Sequence, residues 1–185
     1  MPTRRPTKEE IAAAENTLVP DIIAPGLKVL FCGINPGLYT AAVGHHFARP
    51  GNRFWKALHE GGFTSRILDP SEEDELLRAG CGITNIVDRA STAAAELAPA
   101  ELAAGGRALD EKVRRYAPRY LAVLGLGAYR TAFARPKAPL GRQEETVGGR
   151  PVWVLPNPSG LNASYRPADF ARLFRQLHDA AEAEF

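Results

Sequence analysis

Lys28-Val29-Leu30-Phe31-Cys32 runs directly into Gly33-Ile34-Asn35-Pro36-Gly37, and the reading of this stretch decides the fold. Apolar residues at successive positions suit a strand buried on both faces, the signature of a parallel sheet covered by helices on each side. A second run, Pro151-Val152-Trp153-Val154-Leu155-Pro156, leads in the same way into Asn157-Pro158-Ser159-Gly160-Leu161-Asn162. In an open α/β sheet the residues just past the carboxyl ends of parallel strands converge on one crevice, so two loops far apart in sequence build one site. Each loop carries an Asn and a backbone freed by Gly, which suits close approach to a ligand.

Working outward, apolar runs at 81–87 and Tyr120–Leu124 supply two further strands, and helical patterns separate all four. Helices are expected at 8–16, at 52–59 and from Pro70, where a proline and acidic residues favour a helix start. Others are expected ending near Tyr116, after Gly125-Leu126-Gly127, and at the C-terminus. There Phe170, Leu173, Phe174 and Leu177 form an i, i+3, i+4, i+7 stripe that reads as core. A loop containing Gly and His follows the first strand, and residues 135–150 read as a loop or hairpin. Strand and helix in alternation predict an α/β, three-layer αβα domain with a doubly wound, four-stranded, mainly parallel sheet. Gly125-Leu126-Gly127 lacks the third glycine and the lysine of phosphate-binding loops, so a mononucleotide fingerprint is not supported.

A chain of 185 residues fits one domain, here 8–185, preceded by a flexible basic arm at 1–7. A net charge of +2 permits nucleic-acid binding without requiring it. Cys32 and Cys81 sit within apolar runs and read as small buried hydrophobes. Two cysteines cannot form a four-cysteine cluster. No apolar run reaches membrane-spanning length and the basic start leads into Lys8-Glu9-Glu10 instead of a signal-peptide core, so a cytoplasmic protein of bacterial type is expected.

The chemistry-bearing residues cluster after the first strand. Asn35 offers both donor and acceptor, and Gly44-His45-His46-Phe47-Ala48-Arg49-Pro50-Gly51-Asn52-Arg53-Phe54-Trp55 adds imidazoles, aromatics and cations. With Gly33-Ile34-Asn35-Pro36-Gly37-Leu38, Gly51-Asn52-Arg53-Phe54-Trp55-Lys56, Gly82-Ile83-Thr84-Asn85-Ile86-Val87-Asp88-Arg89 and Leu155-Pro156-Asn157-Pro158-Ser159-Gly160-Leu161 in that order, the chain resembles the mismatch-specific uracil and thymine DNA glycosylases, a branch of the uracil-DNA glycosylase superfamily.

The resemblance implies a monofunctional enzyme that flips a mismatched or damaged pyrimidine from DNA and hydrolyses its N-glycosidic bond, starting base excision repair. It implies no metal and no cofactor, a monomer, and DNA as partner, with the protein at the nucleoid when bound. Asn35 matches the catalytic Asn that holds the attacking water. Gly33, Ile34, His46, Phe47 and Asn85 match the base-binding residues, with Phe47 stacking on the extruded base. Asn157, Ser159, Gly160, Leu161 and Asn162 match the loop that inserts an apolar wedge, Leu161, and contacts the opposite strand. Asp88 has two readings: a carboxylate that orients water or stabilises the sugar cation, and an ion-pair partner of Arg89 or another surface base. Arg49, Arg53, Lys56, Arg130 and Arg166 are candidate phosphate ligands. Leu38 stands where strict uracil enzymes carry a Tyr that excludes the thymine methyl, so activity is expected to extend beyond uracil. The alternatives are a catalytically weak lesion-binding module and a flavodoxin-like nucleotide-binding protein.

Overall fold

The structure, a computed structural model, describes residues 4–183. Five strands, β1 (Val29–Gly33), β2 (Cys81–Asn85), β3 (Tyr120–Leu124), β4 (Gly141–Arg142) and β5 (Val152–Leu155), form one sheet in the order β2-β1-β3-β5-β4. All neighbours are parallel except β4, which runs antiparallel to β5. Every residue of β1, β2 and β3 is buried, as the unbroken apolar runs of β1 and β3 require; β2 buries Thr84 and Asn85 at its carboxyl end as well.

Alternation along β1 divides the interior in two. Val29 and Phe31 join one core with Phe54, Trp55 and Leu58 of α3 (Phe54–Glu60) and with Phe170, Phe174 and Leu177 of α6 (Pro167–Ala183). Leu30 and Cys32 join the other, with Leu102, Leu109 and Val113 of α4 (Pro99–Tyr116) and Tyr129 of α5 (Leu126–Ala132). The result is the expected three-layer αβα domain. Its sheet has one strand more than the four expected, because β4 forms a two-residue edge within 135–150.

Two further segments depart from their expected form. Where a Gly- and His-containing loop was expected, Leu38–Val43 forms a short helix, α2, with no side-chain cap at Gly37 and with Gly44 in the left-handed conformation at its end. The segment Pro70–Ala79 is a 3-10 helix with non-helical backbone at Glu72, opened by reciprocal hydrogen bonds between Asp69 and Glu72. The first helix, α1 (Lys8–Ala13), is capped by Thr7, which accepts from the Glu10 N–H while Glu10 accepts in return. Arg4 pairs with Glu10, and residues 1–3 of the expected arm lie outside the described residues.

From β1 the chain passes to β2 on one side and reaches β3 on the other. The sheet therefore switches direction between β1 and β3, and a crevice opens at their carboxyl ends. Among the described residues no helix is long and apolar enough to cross a membrane. Both cysteines are buried and free; burial pushes the Cys32 thiol far above its ordinary value and the Cys81 thiol up to about 12. Neither is available as a thiolate at neutral pH.

Candidate functional site

A cavity of about 400 Å³ fills the crevice, walled by the 33–37 turn, His46, Phe47, Asn85, the segment 91–94, Leu124 and the 157–162 loop. The two loops singled out from sequence thus meet at the carboxyl ends of the parallel strands β1 and β5, with β3 between them.

Asn35 is held by its nitrogen. Its Nδ2 donates to the Arg89 carbonyl (3.0 Å) and to Ser91 Oγ (2.8 Å). A carbonyl only accepts, so the amide orientation is fixed and Oδ1 is the atom left for a ligand; among the described residues no group donates to it. The Ser91 hydroxyl donates onward to the Ala93 carbonyl (2.9 Å), and its side chain is 1% exposed, so the chain of bonds holds Asn35 in one rotamer. Ser91 also donates its backbone N–H to the Pro36 carbonyl, tying the two loops together.

Gly33 makes room for the opposite wall. A Cβ there would lie 2.7 Å from Asn85 Oδ1 and 3.4 Å from Phe47 Cζ, so only glycine lets both side chains close on the β1 terminus. Phe47 adopts φ 53°, a left-handed conformation costly for a bulky residue, and its ring lies 4.3 Å from that of Phe54. Asn85 is 7% exposed as a residue, and among the described residues its side-chain amide has no hydrogen-bond partner and stays open to the cavity. Ile34 packs beneath the cavity against the φ 151° backbone of Gly125, where a Cβ would meet its Cδ1 at 3.0 Å.

His46 is buried and bonded on three sides. Its N–H donates to Glu73 (2.7 Å), its carbonyl accepts from Trp55 Nε1 (3.1 Å), and Nε2 faces the Pro20 carbonyl at 2.8 Å. That carbonyl requires a proton on Nε2, so Nδ1 carries the lone pair of the neutral ring. Glu73 also accepts from His45 Nδ1 at 2.9 Å.

The 157–162 loop folds on itself. Asn157 Oδ1 accepts from the Ser159 N–H, Ser159 Oγ from the Leu161 N–H, and the Asn157 carbonyl from Asn162 Nδ2. Gly160 lies against Gly51, whose carbonyl would sit 2.8 Å from a Cβ at Gly160. Leu161 is 75% exposed at the cavity mouth, not tucked into the core.

Of the expected site residues, Asn35, Gly33, Ile34, His46, Phe47, Asn85, Asn157, Ser159, Leu161 and Asn162 line one cavity, whereas Gly160 is exposed against Gly51 and is not on its wall. Asp88 does not join them. Ile86 and Val87 extend the β2 ladder by bonding to the Gly33 and Ile34 carbonyls, both side chains enter the α4 core, and the chain then leaves the crevice with Asp88 exposed. Nor does Asp88 pair with Arg89, which forks onto Glu101 at 2.6 and 2.9 Å. Leu38 is not on the cavity wall either. Among the expected cations, Arg49 stands exposed at the rim, whereas Arg130 is tied to the Ala138 carbonyl and Lys56 lies 3.7 Å from Glu60. Arg166 is exposed beside Asp169, and Arg53 turns inward. Ser91 and Glu73, which position Asn35 and His46, are not distinguished by any motif: a lone serine and an acid in a charged helix carry no signal of their own.

Fold and cavity together define an α/β protein with a cavity at the switch point of a doubly wound sheet. The chain matches the model of the uracil DNA glycosylase superfamily over residues 20–178 and belongs to that superfamily. It is also similar in fold to the solution NMR structure of a candidate uracil DNA glycosylase from Methanosarcina acetivorans, with a TM-score of 0.57 at 17% identity, covering 87% of this chain and 97% of that one. Membership assigns DNA glycosylase activity as the general function and DNA as the substrate, and sets aside the flavodoxin-like alternative.

Proposed function

We propose that the protein is a monofunctional, mismatch-directed DNA glycosylase that excises uracil opposite guanine best and retains action on thymine or other 5-substituted pyrimidines. The observation that carries this reading is the Asn85 amide, which faces the cavity without a protein partner among the described residues, with the Phe47 ring beside the same glycine, Gly33. The donors and acceptor of this amide are open to the cavity and unclaimed by the protein. A pyrimidine edge, with donors and acceptors in one plane, satisfies it while Phe47 covers the ring face.

In this reading the flipped base enters over Phe47 and the Asn85 amide reads its edge. Asn35 Oδ1 accepts a hydrogen bond from the attacking water and so aims the water's lone pair at the anomeric carbon. The glycosidic bond breaks first, giving an oxocarbenium-like sugar and a base anion; water adds to the sugar and loses its proton to solvent. An amide is a poor base, so Asn35 contributes by placement, and the rate gain comes from orientation and from polar groups around the departing base. Among the described residues no carboxylate lines the cavity to supply stronger base catalysis. Leu161 fills the stack that the base has left. The turn that walls the cavity carries Gly37, where a Cβ would meet nothing within 4 Å, so no side chain there closes the wall and a 5-methyl group is discriminated by only about 1–3 kcal/mol.

Single-turnover excision from labelled DNA carrying uracil opposite guanine, uracil opposite adenine, thymine opposite guanine, and uracil in a single strand tests the reading. Fastest cleavage of uracil opposite guanine, with slower cleavage of thymine opposite guanine, is expected. Binding of the mismatch without turnover, at enzyme below substrate, would instead leave a lesion-binding module.

A further inference from the structure

Arg53 reads from sequence as a cation for DNA phosphates, but its guanidinium is spent inside the protein. One terminal nitrogen donates to the Tyr165 carbonyl (2.5 Å), and the other to the carbonyls of Ser159 (2.6 Å) and Asn162 (2.7 Å). Its plane lies over Phe170, 4.3 Å from the ring centroid, and Phe170 is 1% exposed in the buried stripe of α6. The Arg53 backbone N–H adds a bond to the Pro158 carbonyl. The Ser159, Asn162 and Tyr165 carbonyls bracket Leu161 on both sides, whereas the loop's other polar bonds are short-range ones within 157–164.

Stability alone is a weak reason to keep this arrangement. Among the described residues no carboxylate pairs with Arg53, and its Nε is sealed from solvent without a partner. A shielded cation neutralised only by carbonyl dipoles costs desolvation, as does a donor left unmade. The three carbonyls it holds belong to a surface loop, where water satisfies them at no such cost. What water does not supply is one fixed loop conformation, and a rigid fork stacked on an aromatic ring does.

We infer that Arg53 is the positioning residue of the loop that carries Leu161: it holds that loop in the conformation that displays the leucine, so that opening of the duplex, and not chemistry on an already accessible base, depends on it. The inference rests on the glycosylase reading above.

The test compares the full chain with Arg53→Lys, which keeps the charge but cannot fork, and Arg53→Gln, in single-turnover excision of uracil from a single strand, opposite guanine and opposite adenine. Single-strand rates within about twofold of the parent are expected, with a loss of about tenfold opposite guanine and a larger one opposite adenine, where the base pair is stronger. Leu161→Ala added to Arg53→Lys should cost no more than either change alone, since both act through one element. Amide exchange should accelerate in 157–165 and stay unchanged in the middle of α6. Equal losses on all three substrates, undiminished duplex activity, additive losses in the double variant, or failure of both variants to fold would each overturn the inference. A parent protein that excises uracil from none of the substrates would defeat the glycosylase reading instead, and the exchange measurement would still report whether Arg53 orders the loop.

Discussion

Ser91→Ala removes one of the two bonds that hold the Asn35 amide while leaving Asn35 itself untouched. The bond from Nδ2 to the Arg89 carbonyl remains, so the amide pivots about it instead of being lost. A hydrogen bond between neutral groups contributes about 0.5–1.5 kcal/mol, which corresponds to a factor of about 2–13 in rate if all of it serves to aim Oδ1. The expected result is a fall in single-turnover uracil excision of about three- to tenfold, smaller than the loss in Asn35→Ala, which removes the water's acceptor altogether. Affinity for a duplex bearing a non-cleavable uracil analogue should hardly change, because the water is engaged chiefly in the transition state. A double-mutant cycle gives the sharper measurement: in an Asn35→Ala background, Ser91→Ala should cost nothing further. Since Ser91 is buried, melting of each variant must be followed alongside. An unchanged rate, or a loss in the cycle equal to that in the parent, would refute the hydroxyl's role in holding Asn35.

Leu161→Ala should leave the melting temperature essentially unchanged, since the side chain is 75% exposed. Losing three buried carbons from the emptied stack should cost at most about 2.4 kcal/mol, or about 60-fold, on paired uracil and almost nothing on single strands. Gly33→Ala should push Asn85 Oδ1 from its place and reduce kcat/KM about tenfold with the fold intact, which inhibition by free uracil would register as a weakened base site. Asp88→Asn should leave excision within about twofold, because the carboxylate stands outside the cavity; a loss as large as that of Asn35→Ala would return it to the mechanism. The Gly148 N–H and then the Arg114 guanidinium hold the Asp110 carboxyl below its ordinary value. Its stabilisation is therefore present above the unfolded value, about 3.9, and lost as pH falls through the lower native one, so Asp110→Asn should melt earlier than the parent at neutral pH with the gap closing in acid.

The sheet was legible because β1 and β3 are apolar at every position, which only a strand covered on both faces tolerates, and α6 because its stripe repeats at helical spacing. The helix at Leu38–Val43 was not legible: six residues with an uncapped start, a Thr and a Val carry almost no helical signal. Likewise β4 has two residues, too few for any period, and takes its conformation from β5. In the site, the Asn35, Phe47 and Asn85 positions followed from motif blocks and their order. Charged groups were harder to place. Asp88 follows a strand toward the crevice, but sequence does not tell where a chain turns after its ladder ends. Arg53 looks like a surface cation until the carbonyls of a loop 106 positions downstream are found around it.

The placing of β5 between β3 and β4 has a consequence for the order in which the protein is made. Until residues 152–155 leave the ribosome, β3 presents an open edge, and the nascent chain already contains Asn35, Phe47, Asn85 and Ser91. That intermediate holds the base-facing half of the cavity without the loop that carries Leu161, and its unpaired edge is the surface through which one growing chain meets another. Translation that pauses between β3 and β5 therefore exposes the protein to aggregation before it can act on a duplex; β5 then covers the open edge, and the loop and α6 that follow it complete the site and the core.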